Sequence, residues 1–106
     1  MIFYNIKDMI KGWFVGNITP TAFKTNDCEV AYKTYKAGEK HGSHYHKIAT
    51  EITFFISGKA RLNDKIINAG DIVVIEKNEV TDFECFEDCA TVVVKVPGAN
   101  NDKYEV

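Results

Sequence analysis

Arginine is almost missing from this chain. Of 13 basic residues only Arg61 is one. The guanidinium fork that grips phosphates and guanine edges is therefore nearly absent, and no basic stripe replaces it, which argues against nucleic acid as a partner. The formal net charge is −2, with acids and bases interspersed, too small an excess to imply a cationic partner. Cysteine is scarce and odd in number. Cys28, Cys85 and Cys89 lack zinc-ribbon or redox-motif spacing, so free thiols in a reducing compartment are expected. No apolar run reaches the roughly 20 residues that span a bilayer. Lys7 and Asp8 interrupt any signal-peptide core near the N-terminus. The expectation is a cytoplasmic protein with no membrane partner. Helical periodicity is missing as well.

What is there is alternation. In Glu29–Ala37, Val30, Tyr32, Thr34 and Lys36 share one face and Ala31, Lys33, Tyr35 and Ala37 the other, a strand pattern. Strands are also expected over 51–56, over 59–68 as a hairpin turning at Asn63–Asp64, and over 72–75. Ile72–Ile75 is apolar at every position, so both its faces should be covered. Two more strands, 80–86 and 89–96, flank an expected turn at Glu87–Asp88, and Pro97–Gly98 stops the last one. Short strands with turns between them, and 106 residues, predict a single all-β domain, a sandwich or barrel. Its core should cover about 28–97, after an N-terminal strand or edge segment (1–27) and before a polar tail (98–106). Trp13 and Phe14 should close one end of a barrel or sit in a dimer interface. They and Ile72–Ile75 carry more apolar surface than a small barrel hides, which predicts a homodimer.

All three histidines, His41, His44 and His46, lie within Gly38–Gly58. His44 and His46 are two apart, which puts both imidazoles on one face of an extended strand. A reversal before Glu51 would return a carboxylate beside them. Two imidazoles and a carboxylate suit Fe(II), Mn(II), Ni(II), Co(II) or Zn(II). His41 has the wrong parity for one straight strand, but a bend at Gly42 would make it an additional ligand.

The spacing Gly38, five residues, His44, one, His46, four, Glu51, six, Gly58 resembles the first motif of the cupins. Gly70–Phe83 is similar to their second motif, with Glu76, Asn78 and Thr81 where cupins usually place Pro, Gly and His. The resemblance covers roughly residues 30 to 97. It implies a double-stranded β-helix, or jelly-roll barrel, usually dimeric, with a metal or ligand site inside, but it does not name a reaction. It also sets Thr81 where the third histidine would stand.

Counting alternate residues gives the expected lining of that site: Thr53 and Phe55 with Glu51, Phe83 and Cys85 with Thr81, and Tyr32 or Tyr35 from the first long strand. Lys95 shares a face with Thr91 and Val93. Facing inward it would need an acidic or anionic partner, with Glu51 a candidate; facing out it is an ordinary surface lysine. Three functions fit. One is a divalent-metal cupin acting on or sensing a small molecule. The second is a metal-free acid–base catalyst, since His44-Tyr45-His46-Lys47 is similar to the His-x-His-Lys pattern of cupin-like ketoisomerases of nucleotide-linked keto sugars. The third is a non-catalytic ligand-binding or scaffold barrel.

Overall fold

The computed structural model describes residues 1–106. Eight strands follow two short 3-10 turns at Ile6–Asp8 and Ile10–Gly12: β1 (Trp13–Val15), β2 (Glu29–Tyr35), β3 (Lys40–Tyr45), β4 (Thr50–Leu62), β5 (Lys65–Asn68), β6 (Ile72–Ile75), β7 (Thr81–Val96) and β8 (Tyr104–Glu105). β4 and β7 organise the rest. They pair antiparallel from Thr50↔Val96 to Leu62↔Phe83. β7 also pairs with β2 and β3, and β4 with β5 and β6.

The expected reversal at Glu87–Asp88 does not occur: β7 runs unbroken through it. The reason lies across the ladder. The register of β4 shifts between Phe55 and Ala60, and such bulges bend a strand pair without ending it. Polar, exposed Glu87 and Asp88 sit on the outside of that bend, and the Glu87 carbonyl accepts from both the Cys85 and Cys89 thiols, at 2.9 and 3.1 Å. Those two thiols and Cys28 are free. Burial, followed by the Cys85 hydrogen bond, pushes the Cys89 thiol up to about 12.

The bend is packed by Phe55, Ala60, Ile67, Phe83, Cys85 and Cys89, with Tyr35, Leu62 and Val73 against them. Beyond this apolar corner the inward rows become polar. Ladder register places Glu51 beside Ile75 and Lys95, and Thr53 beside Val73 and Val93. Ala31 opposes both Val93 and Trp13.

The outward rows correct a second expectation. Only the inner side of β6 is covered, by Val73 and Ile75. Ile72 and Val74 are 66% and 52% exposed, and Phe54, Ile56 and Val96 are exposed beside them. No helix packs on this face, so an all-apolar strand is half bare in the single chain. The C-terminal residues correct a third. Residues 98–106 are more than a polar tail: β8 pairs with β3 and Asp102 is 4% exposed. At the other end β1, within the expected N-terminal strand or edge segment, joins the sheet beside β2.

Gly58 is required at the bend. Its φ is +93°, and a Cβ there would collide with the Asp88 carbonyl and with Cys89. Gly58→Ala should therefore lose at least about 1–2 kcal/mol from the left-handed backbone alone, read as a lower urea midpoint. An unchanged midpoint would show that the bend tolerates a side chain.

Candidate functional site

Between the bent halves of the sheet lies an open cavity of about 780 Å³. β3 delivers two of the histidines. Its register against β7 shifts between His41↔Phe83 and His44↔Thr81. That shift overrides simple parity, so both His41 and His44 border the cavity. His46 follows in the turn before β4 and is 5% exposed. Its Nδ1 donates to the Asp102 carbonyl at 2.6 Å, and the His44 Nδ1 donates to the Gly42 carbonyl at 3.1 Å. A carbonyl only accepts, so in the neutral rings Nε2 is the lone-pair atom of both imidazoles. Burial, ahead of its neighbours' charges, holds the His44 pKa below the usual imidazole range, which favours the neutral ring.

Glu51, at the start of β4, places Oε1 3.7 Å from His46 Nε2. Its Oε2 accepts from the Thr53 hydroxyl at 3.3 Å. The His44 and His46 rings stand edge to face, centroids 5.5 Å apart. Thr81 is buried beside them. Tyr35, rather than Tyr32, turns toward the interior. Its ring lies 4.9 Å from Phe83, and burial, then the negative charge of Glu51 and Glu39, raises its pKa.

The turn carrying His46 is held from the C-terminus. The Asp102 carboxylate accepts the backbone N–H groups of Lys47, Ile48 and Ala49 at 2.9–3.2 Å. Burial works against its charge, but those three donors outweigh it and keep its pKa below the usual carboxylate range. Nothing in the sequence motif pointed to Asp102. The only signal available was an acid within a short polar segment after Pro97–Gly98.

Solved structures share this architecture. A conserved protein of Klebsiella pneumoniae with a double-stranded β-helix domain is 27% identical, with a TM-score of 0.69 over 77% of this chain and 72% of that one. KdgF from a Halomonas species is 17% identical, TM-score 0.65, over 73% and 74%. A cupin protein of Bacteroides fragilis is 22% identical, TM-score 0.59, over 76% and 74%. The fold is the cupin fold. No protein-family model and no curated protein matches the chain.

Within this cupin barrel, Thr53, Phe55, Thr81, Phe83, Tyr35 and Lys95 all border the cavity, together with His44, His46 and Glu51. Lys95 thus faces inward, although it makes no ion pair with Glu51. His41 borders the cavity too, but its Nε2 is bonded to Glu39 Oε2 at 2.7 Å, among Tyr35 and Phe83. That bond, before other effects, lowers the Glu39 pKa. His41 is therefore not gathered with the other two histidines. Glu76 is exposed, and Asp82 turns outward to Arg61 at 3.0 Å.

No group of three His, Cys, Asp or Glu side chains is drawn together to hold a metal ion. The donor chemistry nevertheless suits one. Two ligands on bonds of about 2.0–2.2 Å stand roughly 3 Å apart, so His46 and Glu51, at 3.7 Å, are less than about 1 Å from that spacing.

Replacing Asp102 by Asn removes charge from three hydrogen bonds and should cost about 1–3 kcal/mol at pH 7. The sign follows from the lowered pKa. The wild-type advantage is complete above the unfolded carboxylate value of about 3.9 and fades as pH falls through the lower folded value. Urea melts of both proteins between pH 7 and pH 3 should therefore converge on acidification. A constant gap would assign the effect to something other than this carboxylate's ionisation.

Proposed function

We propose that this cupin binds a small molecule in its cavity at a divalent-metal centre formed by His44, His46 and Glu51. The observation that carries the reading is the pinning of both Nδ1 atoms by backbone carbonyls, which leaves Nε2 as the lone-pair atom of each ring, that of His46 3.7 Å from the Glu51 carboxylate. Ligand imidazoles are commonly oriented in this way by a partner on the other ring nitrogen. An ion such as Fe, Mn, Ni, Co or Zn would supply a Lewis-acidic or redox centre when bound. The chain's own residues do the remaining work. The Asp102 carbonyl fixes the His46 ring, and Thr53 orients the Glu51 carboxylate. Phe55 and Phe83 form the apolar floor. Thr81, a weak donor where cupins usually carry a histidine, leaves room for the small molecule.

The separation of the three groups favours a second, metal-free reading. In it His44 and His46 exchange protons with an isomerisable substrate such as a nucleotide-linked keto sugar, or the cavity binds its ligand without chemistry.

Elemental analysis after incubation with Fe(II), Mn(II), Ni(II) or Zn(II) separates these readings. About one equivalent retained by the wild type, and lost in His44→Ala/His46→Ala, is the expected result. At a hundred times Kd the metal should add about 2.7 kcal/mol of apparent stability. A wild type that takes up none of the four ions leaves the metal-free reading.

The bare outer face of β4, β6 and β7 is proposed to meet a second copy of the chain. β6 pairs only with β4, so an edge strand and an uncharged apolar row lie together, a combination that needs cover. Sedimentation should show a dimer at micromolar concentration and a monomer for Ile72→Lys/Val74→Lys. A monomeric wild type would reject this pairing.

A further inference from the structure

The lining of the cavity has the opposite charge from the chain as a whole. The protein carries a net −2, yet Lys7, Lys11, Lys33, Lys95 and Lys103 border the cavity against two carboxylates, Glu39 and Glu51. Glu39 is already bonded to His41, and Glu51 lies against His46 and Thr53. None of these five lysines takes part in any of the chain's ion pairs.

Two of these lysines are held in place. The Lys33 and Lys95 ammoniums lie over the Trp13 ring, 4.9 and 5.1 Å from its centre. An aromatic face attracts each cation separately, but it does nothing to cancel their mutual repulsion. β2, β7 and β1 place the three side chains on one wall, since Lys33 pairs with Thr91, and Trp13 and Val93 both pair with Ala31. Burial first, and then the charges of Lys95 and Lys11, push the Lys33 pKa down. This is the behaviour of a half-buried cation among like charges. The repulsion between these cations is destabilising, and an anion would relieve it.

We propose that the cavity takes a small organic carboxylate, held by Lys33 and Lys95 on the Trp13 wall. The carboxylate class follows from what surrounds the cations. No arginine fork borders the cavity, and no helix N-terminus offers aligned N–H groups; these are the devices that favour phosphate. Trp13, Val73, Ile75 and Val93 instead provide an apolar surface beside the charge, matched to the carbon body of an organic acid. The inference rests on the cavity being a small-molecule site, but it does not require the metal.

The test uses the purified 106-residue chain in a chelator-containing buffer. Its melting temperature is measured with malonate, succinate, pyruvate or benzoate, each against sodium chloride at equal ionic strength, with inorganic phosphate as a further arm. At least one carboxylate should raise the melting temperature by several degrees beyond chloride and beyond phosphate. Lys33→Met/Lys95→Met should weaken that carboxylate at least tenfold. Without ligand this variant should be no less stable than the wild type, because a repulsion has been removed; Lys95→Arg should keep the response. The inference is overturned if all four carboxylates behave like chloride, if phosphate is the better ligand, or if the double methionine variant responds like the wild type. Metal uptake is measured separately. Protein that binds metal but ignores carboxylates sinks this inference alone, and protein that responds to a carboxylate without taking metal sinks the metal centre alone.

Discussion

Everything at the mouth of this barrel depends on a carboxylate near the C-terminus. Asp102 collects the backbone N–H groups of Lys47, Ile48 and Ala49, donors that the turn between β3 and β4 cannot satisfy internally. Buried backbone donors without partners are costly, so the turn and the C-terminal segment order each other. The same residue's carbonyl then selects the His46 tautomer. One side chain thus closes the loop, and its own main chain aims the imidazole.

The bend in β4 and β7 sets the second half of the geometry. It is a local defect, a few extra residues and a glycine in a left-handed conformation. The apolar residues gather at the closed corner, and the rows beyond it face one another across open space. Glu51, at the start of β4, meets His46 across the turn that Asp102 holds. The cavity therefore follows directly from the way the two longest strands are bent.

Charge is distributed against the grain of the chain. An acidic protein turns its lysines toward its own cavity and sets two of them on an indole ring. Exposed lysines elsewhere pair weakly with acids, as Lys36 does with Asp88 at 3.9 Å, where water screens the gain. Inside the cavity the unpaired cations have no such partner. The contrast separates ordinary surface chemistry from the proposed anion site.

The histidine-to-glutamate spacing, the alternation of β2 and the turn at Asn63–Asp64 were legible in the residues because each depends on neighbours a few positions away. Strand parity, counted from Glu51 and from the Thr81 that the cupin resemblance set in the site, placed Thr53, Phe55 and Phe83 on the cavity side, whereas Cys85, counted with them, lies in the apolar corner. Three features were not legible. The continuity of β7 through Glu87–Asp88 depends on a register shift in β4, far off in sequence. Asp102 reaches the histidine turn across more than fifty residues, with no periodic pattern to announce it. The inward direction of Lys95, and its meeting with Lys33 over Trp13, needed three strands to be ordered side by side. Local strand order was written in the sequence by itself. Which side chains share the cavity was decided by tertiary structure, because pairing between distant strands brings them together and local propensity carries no information about it.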